Sequence, residues 1–322
     1  MLDVKHLTVD FVTVSSRVRV LNDASIHVSK GDTVGVVGES GSGKTTLGLA
    51  ILGLLDSPPA QIVDGSIDFE ELNMLKLTPK EQSSVRGTGI NMVFQESAVS
   101  LNPVYNVASQ VGESIEVMPK LGHDDAMLKK GDSILNLLRG LCLDDPRAVM
   151  KKYPHELSGG MRKRVAIGMS IIQKPRLLIL DEPTTGLDAY VQNRILSILR
   201  KLNRDGITMI LITHDLDVAS KFCNRMYVMY AGRIMEHAYT EDLLTAPLHP
   251  YTKTLLASIP NGDENSPPIP VPTGEPPDIG ELPPGCKFNP RCPMVMRRCT
   301  EREPPLIEKP KSRLVSCWLH ES

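Results

Sequence analysis

The chain has 322 residues, 41% of them hydrophobic and 23% charged, with a formal net charge of −2. That balance is too apolar for wholesale disorder and offers no long basic block for a phosphate backbone, which makes nucleic acid a poor candidate partner. No stretch approaches the roughly 20 apolar residues of a bilayer span, and Met1-Leu2-Asp3-Val4-Lys5 carries no secretory signal, so a cytosolic globular protein is expected.

Apolar and polar residues alternate through Leu2, Val4, Leu7, Val9 and Phe11, then through Val18, Val20, Leu21, Ile26 and Val28, which predicts an antiparallel strand pair. Phe11 suits two roles, stacking on an adenine ring or filling a half-buried strand position. An apolar strand, Val34–Val37, leads through Gly38, Glu39, Ser40, Gly41, Ser42 and Gly43 to Lys44, Thr45, Thr46 and a helix. This is the P-loop spacing G-x-x-x-x-G-K-[ST]. Glycines let successive backbone N–H groups converge on phosphate oxygens, and the helix N-terminus adds a favourable dipole. Lys44 then reaches the β- and γ-phosphates, while the Thr45 hydroxyl suits Mg²⁺.

Ser57-Pro58-Pro59 marks a loop, Asp64–Phe69 a further strand, and Ile90–Gln95 a buried strand ending on an amide that suits Mg²⁺ or an attacking water. From about 97 to 157 the pattern turns helical, with an apolar stripe at Ile134, Leu137, Leu138 and Leu141. Cys142 is expected to pack on that stripe, and Cys223 in the core. Leu157-Ser158-Gly159-Gly160-Met161 then reads as an N-capped helix start with free backbone donors, a second anion site. One nucleotide cannot use two such starts far apart in one fold, which points to ATP shared with another copy or a paralogue.

Leu177–Leu180 is continuously apolar, as a strand buried on both faces must be, and ends on Asp181 and Glu182. Asp181 suits the Mg²⁺ shell and Glu182 a proton taken from water. A turn through Gly186, Leu187 and Asp188 leads to a helix expected from Val191, and the buried strand Thr208–Thr213 delivers His214 to the same sheet edge, to position the γ-phosphate or the water.

These motifs, in this order, resemble the ATP-binding-cassette (ABC) ATPases over residues 1 to about 235. The resemblance implies an α/β P-loop NTPase core with an antiparallel β subdomain and a helical insertion. It also implies head-to-tail pairing, with ATP between Gly38–Thr46 of one subunit and Ser158-Gly159-Gly160 of its partner, and Asp188 at the seam. Met161 replaces the family's commoner glutamine, but the backbone donors survive and activity is expected. Ser100-Leu101-Asn102-Pro103-Val104, Tyr153-Pro154-His155-Glu156-Leu157 and Pro247-Leu248-His249-Pro250-Tyr251-Thr252 narrow the likeness to the oligopeptide and dipeptide importer ATPases.

Residues 261–284 are rich in proline and form an expected extended linker within an irregular extension, 236–322. Cys286, Cys292, Cys299 and Cys317 follow, spaced C-x5-C-x6-C-x17-C, a thiol set that chemistry alone assigns to an iron–sulfur cluster, to Zn²⁺ or to free or disulfide-bonded cysteines. The subfamily resemblance favours a [4Fe–4S] cluster. It further implies two transmembrane permease subunits, an extracellular solute-binding protein, a non-identical second cassette and a place on the cytoplasmic face of the membrane, the region between Gln95 and Tyr153 docking on a permease. The rival functions are a soluble cassette ATPase acting on ribosomes or nucleic acid and a redox-sensing regulatory ATPase. A single P-loop, no heptad run and the slight negative charge speak against the first.

Overall fold

A computed structural model describes residues 1–95, 101–116, 126–258 and 274–321. The chain divides into two compact units, Met1–Thr78 with Leu211–Ser322, and Pro79–Ile210. No helix among the described residues is long and apolar enough to cross a membrane.

The first unit opens with β1 (Leu2–Val12) and β2 (Arg17–Val28), the antiparallel pair expected from their alternation. Then come β3 (Thr33–Val37), α1 (Lys44–Leu52), β4 (Ala60–Phe69) and the short β5 (Leu72–Asn73). The sheet order β2-β1-β4-β5 is antiparallel throughout. Its inner face buries Leu2, Leu7, Leu21, Ile67 and Phe69 at 3% exposure or less.

The second unit holds α2 (Pro79–Val85), β6 (Ile90–Val93), α3 (Val107–Glu116), α4 (Ala126–Gly140), α5 (Pro146–Lys151), α6 (Gly159–Ile171), β7 (Leu177–Asp181) and α7 (Ala189–Arg204). β6 and β7 run parallel, and every residue of β7 is buried, as its unbroken apolar run requires. Ile195, Leu196, Ile198 and Leu199 give α7 a buried stripe at helical spacing. Two local expectations are corrected here. β6 stops at Val93, leaving Phe94 and Gln95 exposed beyond the strand. Cys142 does not pack on the α4 stripe: the helix ends at Gly140, and Cys142 sits exposed in the following turn with φ 54°. Gly140 ends the helical periodicity before Cys142 can inherit its face.

The chain returns to the first unit within β8 (Thr208–Thr213), followed by α8 (Leu216–Phe222), β9 (Arg225–Tyr230), β10 (Arg233–Tyr239), α9 (Thr240–Thr245) and α10 (Pro250–Ala257). β9 pairs parallel with β3 and antiparallel with β10. Cys223 packs in the core as expected, and burial pushes its thiol pKa up. In the extension, α11 (Arg297–Glu301) precedes β11 (Ile307–Lys309) and β12 (Arg313–Val315). β12 adds to β10, with Glu236 opposite Val315.

This pairing explains the Pro-Leu-His-Pro-Tyr-Thr run. Glu236 is fully buried and accepts from Arg313 at 3.1 Å and from the Leu248 and His249 N–H groups at 2.8 Å each. His249 N-caps α10 by accepting from the Tyr251 N–H at 2.9 Å, and burial lowers its pKa to about 3, which keeps the ring neutral. The cap turns the helix so that Tyr251 is fully buried. Part of the expected linker, 259–273, lies outside the described residues, and 274–285 has neither helix nor strand.

Candidate nucleotide site

In the first unit, two glycines set the loop between β3 and α1. A Cβ on Gly38 would stand 2.0 Å from the Met229 carbonyl oxygen, and one on Gly43 would stand 2.9 Å from that of Val20. Gly43 also adopts φ 95° as the residue before α1. No larger side chain fits either end of the loop, which is the steric content of the P-loop spacing. Lys44 is buried to 6% exposure, its Nζ donating to the Gly38 and Glu39 carbonyls at 2.8 Å each and to Ser42 Oγ at 3.3 Å. The ammonium is thus held inside the loop. Thr45 is exposed in the first turn of α1, and Thr46, Ser40 and Gly41 continue the same rim. His214 is exposed after β8, where Asp215 caps α8 by accepting from Val218 N–H at 3.0 Å. Phe11 is half-buried on β1, opposite Val18 and Ala60.

The second unit carries the other motifs. Asp181 ends β7 at 2% exposure, and Glu182 follows at 6% with φ 48°. Glu182 Oε2 accepts from the Thr185 hydroxyl at 2.5 Å. Lys163 braces this turn from α6, donating to the Glu182 carbonyl at 3.3 Å and the Thr185 carbonyl at 2.6 Å. Burial lowers the pKa of Lys163, and Glu182 works against that shift. Sequence reasoning missed both Lys163 and Thr185, although Lys163 lies within the helix that follows Gly159-Gly160.

Ser158 is the N-cap expected of it, accepting from the Met161 N–H at 3.3 Å, and Leu157 beside it is buried. A Cβ on Gly160 would stand 2.8 Å from Val191 Cγ1, so glycine lets α6 approach α7. Asp188 caps α7 through the Val191 N–H at 2.9 Å, a bond of a kind worth about 1 kcal/mol, after a turn in which Gly186 takes φ 73° and Leu187 follows. The helix therefore begins two residues before Val191.

A family model described as ABC transporter matches residues 21–185, and one described as oligopeptide/dipeptide transporter, C-terminal region, matches residues 235–299. The oligopeptide transport ATP-binding protein AppD of Bacillus subtilis is 38% identical over all of this chain and 97% of its own length. The chain belongs to the ABC transporter ATPases, in their oligopeptide/dipeptide subfamily. OppD of Escherichia coli, named for the same transport, is 39% identical over 99% of this chain and 93% of its own. Among solved structures, the dimeric bacterial ABC transporter cassette MJ0796 superposes with a TM-score of 0.66 at 26% identity, covering 74% of this chain and 99% of that one. The same cassette bound to ADP and Pi, a post-hydrolysis state, matches equally well.

This ABC ATPase brings its four C-terminal cysteines to one cavity, which His249 and Trp318 also line. Cys286, Cys299 and Cys317 are buried and Cys292 half-buried. Burial, then neighbouring thiols, pushes the Cys286 pKa up to about 12, and burial raises Cys292 and Cys317 as well. Among the described residues, however, no group of three or more His, Cys, Asp or Glu is arranged so that it could hold a metal ion. The expected metal centre is not formed by the thiols as they stand.

Sequence reasoning also missed what the extension does at the P-loop. The Tyr251 hydroxyl accepts from the Glu39 N–H at 3.0 Å, and Arg291 grips the Glu39 carboxylate with two bonds of 2.7 and 3.1 Å.

Proposed function

We propose that the chain is the ATP-hydrolysing subunit of an importer of oligopeptides or dipeptides. What supports this is the glycine turn Gly38–Gly43 with the Lys44 ammonium held inside it, in a chain similar over its whole length to peptide-transport ATP-binding proteins. Lys44 holds the β- and γ-phosphates, Glu182 accepts a proton from the attacking water, and His214 and Gln95 keep that water and the γ-phosphate in line. Thr45, Gln95 and Asp181 are the residues that would hold Mg²⁺, which neutralises charge on the phosphoryl oxygens. Phe11 stacks on the adenine.

Ser158, Gly159 and Gly160 serve ATP bound by a second cassette, a non-identical paralogue, with Gly186–Asp188 at the seam. Closure of the pair moves two permease subunits at the cytoplasmic face, and a solute-binding protein outside delivers the peptide. Purification of the tagged chain from detergent-solubilised membranes should recover two hydrophobic permeases and a second cassette. Recovery of rRNA or DNA fragments in their place would overturn the transport reading.

We also propose that the cysteine cavity takes a thiolate-bound centre. The donor set supports it, since four thiols line one small space without a carboxylate, the soft ligand field of [4Fe–4S] or, as the alternative, Zn²⁺. Binding would draw Cys286, Cys292, Cys299 and Cys317 together as thiolates and stabilise the extension. Anaerobically purified protein should be brown. Colourless protein with stoichiometric zinc would overturn the iron assignment, and protein free of both metals the centre itself.

A further inference from the structure

A P-loop that binds polyphosphate places an acidic residue, Glu39, directly after its first glycine. A carboxylate beside a phosphate site repels the ligand, so the structure must neutralise it or lose affinity. The charge that does so comes from the opposite end of the chain, 252 residues away. Arg291 donates from Nη1 and Nη2 to the two carboxylate oxygens, a forked arrangement that fixes direction as well as charge. Its side chain is 8% exposed, against 22% for Glu39, and Nη1 also donates to the Tyr230 hydroxyl at 3.2 Å.

The rest of Glu39 is held equally firmly. Its N–H is taken by the Tyr251 hydroxyl and its carbonyl by Lys44. The rings of Tyr230, Tyr251 and Phe288 pack at centroid distances of 4.6–5.4 Å beneath the pair. The same extension lines a cavity with Glu39–Ser42 through Pro276, Pro277 and Ile279. Glu39 is therefore held at its N–H, its carbonyl and its carboxylate.

We propose that Arg291 is a positioning residue of the nucleotide site, which neutralises and orients Glu39 so that the P-loop accepts the triphosphate. This rests on the ATPase reading above. Removal of the guanidinium leaves a half-buried, uncompensated carboxylate within the P-loop, while the groups assigned to hydrolysis are untouched. The loss should fall on nucleotide binding and be screened by salt.

Calorimetric titration of Mg-ATP into the full-length protein tests it, alongside kcat, KM and melting midpoint. Arg291→Ala should raise the Kd and KM on the order of 10-fold, with kcat nearly maintained at saturating ATP. The defect should shrink between about 50 and 300 mM salt. The double variant Arg291→Ala/Glu39→Gln, which removes the stranded charge, should return most of the lost affinity. A merely structural role for Arg291 would give neither the salt effect nor that rescue. If Arg291→Ala does not fold, Arg291→Gln takes its place in the same series. Wild-type affinity in the single variant, or a double variant as weak as the single, would overturn the proposal. A wild-type protein that neither binds nor hydrolyses ATP would overturn the ATPase reading itself.

Discussion

Glu182→Gln should lower ATP turnover by about 10²- to 10⁴-fold while nucleotide binding persists. Glu182 stands at the end of a wholly buried strand, 6% exposed, its carboxylate fixed by the Thr185 hydroxyl and its turn braced by Lys163. Glutamine matches the shape and still accepts from Thr185, but it cannot take a proton from water. The substitution therefore separates chemistry from folding. A steady-state phosphate-release assay reads the effect, with a melting curve to show that the fold is retained. Turnover within twofold of wild type would remove Glu182 from the reaction.

Lys44→Ala acts one step earlier. The ammonium is held in the loop by the Gly38 and Glu39 carbonyls and Ser42 Oγ, and no neighbouring side chain of the loop carries a positive charge that could replace it. Each hydrogen bond to a charged group contributes about 1.5–3 kcal/mol, so the loss should weaken Mg-ATP binding by about 10- to 100-fold. Calorimetric titration of the full-length variant measures it directly. An unchanged Kd would mean that the phosphates do not meet Lys44.

What the sequence disclosed was what local sterics and periodicity govern. The P-loop was legible because Gly38 and Gly43 have no tolerated substitute against the Met229 and Val20 carbonyls, and β7 because a strand buried on both faces must read as an unbroken apolar run. Ser158 was legible as a cap from its place before Gly159. Boundaries were less so: Asp188 starts its helix by capping Val191, and β6 ends before Phe94, since neither position breaks an apolar pattern.

The long-range features left no local trace. Arg291 reaches Glu39 across 252 residues, and β12 joins β10 with only three residues. A three-residue strand shows no period, and nothing local to Arg291 marks it as a partner for the P-loop. The cysteine spacing foretold that the four thiols would meet at one cavity, but not that among the described residues they would lack a metal-ligand arrangement, because spacing restricts which residues can meet without fixing where their sulfurs point.

The proposed sharing of ATP by two cassettes is the central claim of the mechanism. It is settled by a structure of the intact importer assembly carrying Glu182→Gln and saturated with Mg-ATP. The triphosphate on Gly38–Thr46 of this chain should also be touched by the glycine-rich helix start of the second cassette, and Ser158-Gly159-Gly160 of this chain should touch the nucleotide bound there. A triphosphate contacted by one cassette alone, with hydrolysis blocked, would contradict it.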